Sequence, residues 1–277
     1  MSRQQRHARL RQSIDAVSRH GINLKAGQSD RLWSSIAATR ILLDILSGHS
    51  PSRASQAAKW AHEFFETSLR HNPSESQIEC AKGCTFCCHL RVSAMAPEIF
   101  LIANQIRREH KNDLESVLSR LRAVDRNSRG QSGAQRAKSK LPCGLLDGSL
   151  CTVYAVRPST CRGHTSVSVR TCEQGFHGED VEVLTPAVWA YLRSAHNQAL
   201  WAALTAVNLS ADSYELNHAL CVALETPDAE ARWLRGEEVF ACVACERLAD
   251  ALDPEARKRI IDRLVAGALG RELPILE

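Results

Sequence analysis

The 277 residues, 44% of them hydrophobic, are enough to bury a substantial core, which excludes disorder as the default state. Thirty-five Lys and Arg against 31 Asp and Glu leave a formal charge of +4, too weak a global field to argue for nucleic acid or a membrane surface. Eleven cysteines, an odd number, argue against a disulfide framework and for reduced thiols.

The first stretch, MSRQQRHARLRQSIDAVSRHG, is basic and polar and lacks the apolar run of a secretory signal, so a cytoplasmic location is expected. No apolar stretch reaches the roughly 18 to 20 residues that span a bilayer, and no membrane helix is expected. Asp30 is placed to cap a helix in which Leu32, Ile36, Leu43 and Leu46 recur near helical spacing, with Gly48 as its end. Ser50 and Pro51 announce a second helix carrying Ala57, Trp60, Ala61 and Phe64 on one face, broken near Pro73. Pro97 opens a third, with Ile99, Ile102, Ala103 and Ile106 in register, and Leu114, Val117, Leu118 and Leu121 predict a fourth.

Periodicity then stops. The segment 126–140, RNSRGQSGAQRAKSK, has no large apolar residue and reads as a mobile basic loop. Residues 141–173 are turn-rich, and the Val167 to Arg170 alternation predicts a short strand. Thr185-Pro186, Thr226-Pro227 and Asp253-Pro254 each pair a capping residue with proline, marking three further helix starts. Leu216, Ala219, Leu220, Ala223 and Leu224 share a helical face, as do Ile260, Ile261, Leu264 and Val265. The expected fold is mainly α: helical layers around an irregular cysteine-rich metal-binding centre, in a single domain over 1–277 with residues 80–172 embedded as the metal-binding region.

Eight of the cysteines fall in two irregular segments. The first is Cys80-x3-Cys84-x2-Cys87-Cys88; the second supplies Cys143, Cys151, Cys161 and Cys172. Thiolates two or three residues apart can turn inward on one soft cation, as in zinc and iron-sulfur sites. Buried apolar cysteines would be scattered over helix faces, whereas these sit among Gly, Pro, Ser and Thr. Neighbouring side chains diverge, so Cys87 and Cys88 suit a multinuclear centre, or two sites, better than one mononuclear ion. Lys82, Arg91, Arg157 and Arg162 supply compensating charge, and His89 and His164 are either hydrogen-bonding neighbours or alternative ligands. The other three cysteines, Cys221, Cys242 and Cys245, read as core positions on helices, with a Cys-x-x-Cys redox or ligand pair at 242 and 245 as the alternative.

These motifs resemble the CxxCxxCC family of zinc- or iron-chelating proteins, also called YkgJ-like cysteine cluster proteins. Cys80, Cys84, Cys87 and Cys88 fit its first motif; PCGLL, CTVYAVRPSTCR and Cys172 fit its second, including Tyr154, Arg157, Pro158 and Arg162. The resemblance implies a metal-binding bacterial protein with iron or zinc as cofactor. The family is similar over this region to flagellin lysine N-methylases, which join an iron-sulfur cluster to methyl transfer; that activity is not carried over to a chain of this length.

Two functional classes follow. One is a metal-binding protein holding an iron-sulfur cluster or zinc through both segments, in a structural or redox role, with the helices free to present a surface to a protein partner. The other is a SAM-dependent enzyme, lysine methylase-like or of radical SAM type, because Cys80-x3-Cys84-x-Phe86-Cys87 also has the radical SAM spacing. That second class expects a repeated strand-helix pattern, which the sequence lacks. Neither the basic start nor 126–140 interleaves aromatic with basic residues as single-strand binders do.

Overall fold

The computed structural model describes residues 1–246 and 253–271, and among them the protein is mainly α. No helix in this part is long and apolar enough to cross a membrane. The described residues cluster into two compact units: residues 1–73, 188–211 and 253–271, and residues 74–187 and 212–246.

The first unit is built from α1 (Arg3–His20), α2 (Gln28–Leu46), α3 (Arg53–His71), α9 (Ala187–Ala206) and, near the end of the chain, α12 (Pro254–Ala268). Its packing is made close by small residues: Ala37, Ala38, Ala57, Ala58, Ala61, Ala202 and Ala203 are all fully buried beside Ile36, Leu42 and Leu200. The expected faces of α2 and α3 hold, but their starts shift. Asp30 lies in the first turn of α2, where it pairs with Arg9 at 2.8 Å, and Pro51 falls in the turn before α3. Asp253 accepts the Ala256 N–H and so caps α12, with Pro254 at its first position, as its sequence announces.

The turn after α1 is tied to the end of α3 by side chains that satisfy its backbone. Asn72 Nδ2 donates to the Ile22 carbonyl at 2.6 Å, and its Oδ1 accepts the Leu24 N–H at 2.8 Å. Gly21 makes this approach possible: its φ is +68°, and a Cβ there would stand 2.7 Å from the Ser68 backbone N and Cα. Gly21→Ala is expected to destabilise the chain by about 1–3 kcal/mol, read as a lowered midpoint in chemical denaturation.

The second unit carries the cysteine segments. Its helices are α4 (Ala96–Glu109), α5 (Leu114–Ser128), α6 (Gly133–Ser139), α7 (Ser159–Gly163), α8 (Val169–His177), α10 (Leu216–Glu225) and α11 (Ala229–Leu234). Ile99, Ile102 and Ile106 of α4, Val117 and Leu121 of α5, and Ala219, Leu220 and Ala223 of α10 form its core. Phe100 adds ring contacts to Trp233 and Phe240. A small antiparallel sheet joins distant stretches in the order β1 (Ser93–Met95), β4 (Ser213–Glu215), β5 (Cys245–Glu246), with Ala94 opposite Tyr214 and Tyr214 opposite Cys245. A hairpin, β2 (Leu146–Asp147) with β3 (Leu150–Cys151), projects from the second cysteine segment.

Four sequence expectations are corrected here. Residues 126–140 hold the end of α5, a short connection at 129–132 and the capped helix α6, in which Ser132 and Gln135 form a capping box and Arg136 is buried. Ser168 accepts the Thr171 N–H and starts α8, so the alternation 167–170 is a helix entry and not a strand. Helix α11 starts at Ala229 after Asp228, two residues past Thr226-Pro227. Cys242 and Cys245 are on a turn and on β5, both exposed, and so are not core residues of a helix. Cys221 is buried on α10, as expected.

Candidate metal centre

Local chemistry shapes the first cysteine segment. Gly83 takes a φ of +94°, turning the chain between Cys80 and Cys84, and Phe86–His89 then forms one 3-10 turn that carries Cys87 and Cys88. In the second segment, Cys143 precedes the hairpin, Cys151 ends β3, Cys161 sits on α7 and Cys172 on α8.

Backbone hydrogen bonds stitch the two segments together. Cys143 N–H donates to the Cys88 carbonyl at 2.9 Å, and Glu79 N–H to the Ser166 carbonyl at 3.2 Å. Ser166 N–H donates to the Cys80 sulfur at 3.2 Å, and the Glu79 carboxylate accepts the Val169 N–H at the start of α8. Phe176 of α8 packs against Phe86 and His89, with ring centroids 5.7 and 4.9 Å apart.

The thiols lie within electrostatic reach of one another in two overlapping sets. Cys84 is pushed up by burial and then by Cys80, Cys87 and Cys172; Cys172 is pushed up by burial and then by Cys80 and Cys87. Deeper in, burial pushes Cys143 up to about 11 and Cys161 well above the usual thiol range, with Cys151 contributing to both. Cys161 also feels Cys87 and Cys143. Cys151 is raised by burial and by Cys87, while Cys87 is raised by its hydrogen bond to Cys88 and then by desolvation. Cys87 is thus common to the outer set, Cys80, Cys84 and Cys172, and the inner set, Cys143, Cys151 and Cys161. Among the described residues, no three His, Cys, Asp or Glu side chains converge closely enough to hold an ion as they stand.

The donor set itself fits a soft cation. It is all sulfur, and the carboxylate nearest in sequence, Glu79, is engaged at the α8 N-terminus. Such sulfur-only sets suit zinc or iron-sulfur centres and not magnesium or calcium. Burial and mutual repulsion both oppose ionisation of these thiols, and a bound cation relieves both costs.

The expected cations divide in two. Arg157 lies 3.8 Å over the Tyr154 ring and favours the charged forms of Cys87, Cys151 and Cys161. Arg162 is buried with its Nε donating to the Arg157 carbonyl at 2.8 Å and its Nη2 to the Ala155 carbonyl, which closes the loop. Arg91 faces Glu246 at 3.7 Å. His89 Nδ1 is 3.0 Å from the Thr85 carbonyl, while His164 and Lys82 are exposed.

Several contributors are not evident from cysteine spacing. Arg136 of α6 favours the charged form of Cys143 and donates to the Leu141 and Pro142 carbonyls just before it. Asn217 Oδ1 accepts the Gly144 N–H at 3.0 Å and lies 3.8 Å from the Cys143 sulfur. Glu98 is buried and accepts the N–H of Ser159 at 2.6 Å and of Met95 at 3.1 Å, fixing the start of the helix that carries Cys161. A sequence signal existed for Glu98, an acid in the first turn next to Pro97.

Cys221 belongs to none of this. Burial pushes it up to about 12, so at pH 8 it is expected to resist alkylation in the native chain and to react only after denaturation, as followed by mass spectrometry.

No curated protein and no solved structure matches the chain. Residues 79–184, within the second unit and spanning both cysteine segments, match the model of the family CxxCxxCC, described as "Putative zinc- or iron-chelating domain".

Proposed function

We propose that the second unit holds an iron-sulfur cluster, with zinc as the alternative metal, through thiolates drawn from Cys80, Cys84, Cys87, Cys88, Cys143, Cys151, Cys161 and Cys172, in a structural or redox role. The observation that supports the reading is the stitching of the two segments at Cys143 to Cys88 and at Ser166 to Cys80, with Cys87 of the first segment within electrostatic reach of Cys161 and Cys172 of the second. That double reach of Cys87 favours a centre with more than one metal ion, because the adjacent Cys87 and Cys88 can serve different metals. Arg157, held across Tyr154, would offset the negative charge of the loaded centre, and Glu98 and Asn217 would position the helix and turn that bring in Cys161 and Cys143.

Beyond the Cys80-x3-Cys84-x2-Cys87 spacing, the fold of the second unit does not favour the radical SAM alternative. Its described strands are two or three residues long and antiparallel, where that reading needs repeated parallel strand-helix units. Anaerobic purification with zinc, iron and acid-labile sulfide quantified on one sample tests the proposal. Iron with matching sulfide supports it, zinc without sulfide moves it to the zinc form, and a chain that takes up neither metal when reconstituted overturns it.

A further inference from the structure

Cys242 and Asp125 each adjoin His218 outside the cysteine cluster. His218 Nε2 is 3.9 Å from the Cys242 sulfur, and its Nδ1 is 3.7 Å from Asp125 Oδ1. The Arg129 Nη2 donor, 3.3 Å from Nε2, marks that nitrogen as the acceptor, which places the ring proton on Nδ1 facing Asp125. In this tautomer the single Nε2 lone pair takes the thiol proton in place of the Arg129 N–H, which keeps its bond to Asp125; this is the arrangement of a nucleophile, its base and the group orienting the base. His218 and Asp125 are buried, whereas Cys242 is exposed, so the base is held rigidly and the thiol is reachable.

Beside the histidine is a cavity of about 150 Å³ lined by Arg91, Asp125, Arg129, Arg136, Glu215 and His218. It is smaller than the roughly 300–1,000 Å³ of drug-sized ligand sites and adjoins the thiol through His218 and Arg129, Cys242 itself lying outside its lining. Its guanidinium groups suit a small oxyanion, and the Nε atoms of Arg91 and Arg136 have no hydrogen-bond partner. A second exposed thiol, Cys245, follows three residues after Cys242 across a bend at Val243.

We infer that Cys242 is a nucleophilic thiol activated by His218 and Asp125 that reduces small hydroperoxides, with Cys245 as the resolving thiol. His218 takes the Cys242 proton, and the thiolate attacks the terminal peroxide oxygen: an S–O bond forms, the O–O bond breaks, and the leaving oxyanion, met by Arg129, recovers the proton from His218 as an alcohol or water. The Cys245 thiol then attacks the Cys242 sulfenic acid; an S–S bond forms, and the hydroxyl leaves as water with the Cys245 proton. Two thiols are oxidised to one disulfide while one hydroperoxide is reduced, independently of the metal centre.

The test uses the full-length, reduced, metal-loaded chain and hydrogen peroxide, read by peptide mapping. A Cys242–Cys245 disulfide is expected, and in Cys245→Ser a sulfenic acid trapped by dimedone on Cys242. Native alkylation by iodoacetamide should be faster at Cys242 than at Cys245. His218→Gln should slow it roughly tenfold or more at Cys242 and shift its pH profile upward, leaving metal content unchanged. That profile is set with Asp125 and Arg129 on α5, Arg136 on α6, Arg91 ahead of β1, Glu215 on β4 and Glu246 on β5 all nearby. Equal rates at the two thiols in the unaltered chain, no disulfide after peroxide, or loss of a metal equivalent in Cys242→Ser would each overturn the inference.

Discussion

Replacing Cys161 by serine is expected to strip the chain of most of its metal, whereas replacing Cys221 by serine leaves the metal content unchanged. Both are poorly accessible thiols on helices of the same unit, and only Cys161 shares the field of Cys87, Cys143 and Cys151. Serine is a poor partner for a soft metal, so the loss should exceed the ten- to hundredfold typical of removing a group that merely supports a ligand. Metal-to-protein ratio after dialysis against a competing chelator reads the difference. The same chain should release protons on loading, because burial and neighbouring thiols hold these groups in the protonated form at neutral pH. The sign is fixed by the upward shifts: metal uptake strengthens as pH rises and weakens in acid.

Glu98→Ala is expected to cost about 3 kcal/mol and to lower metal retention at the same time. One buried carboxylate accepts two backbone N–H groups, at the start of α4 and of α7, and alanine leaves both donors unpaired away from water. Because α7 carries Cys161, the structural loss reaches the centre through the position of that helix. Glu98→Gln keeps one acceptor oxygen and should fall between the two. Denaturant midpoints, measured with and without metal, separate the two effects: a Glu98→Ala chain that kept its stability would show that these hydrogen bonds carry little weight.

What could be read from the residues and what could not divides along a physical line. Helix faces such as Ile99, Ile102, Ala103 and Ile106, or starts such as Asp253-Pro254, depend on neighbours within a turn or two, and their burial and capping follow the pattern. The motif spacing likewise marks the two cysteine segments, and hydrogen bonds at Cys88 and Cys80 join one segment to the other. Residues 126–140 defeat the same reasoning because Arg136 is buried by the carbonyls it binds and not by apolar periodicity, although the Ser132 and Gln135 box was a local sign of α6. At 242–245 the spacing imitates a helical turn, but Cys245 pairs across the sheet with Tyr214, a partner 31 residues away (245 − 214). Only the folded chain brings His218 to Cys242 and Asp125.

The sheet that joins β1, β4 and β5 has a consequence for how the protein is made. Its first strand leaves the ribosome more than a hundred residues before its partners at Ser213–Glu215 and Cys245–Glu246. All eight cysteines of the two segments therefore emerge during translation before β4 and β5 exist, and long-range pairing of this kind is slow to close. An early-bound metal would act as a chaperone of that interval, shielding nascent thiols from oxidation until the C-terminal strands arrive.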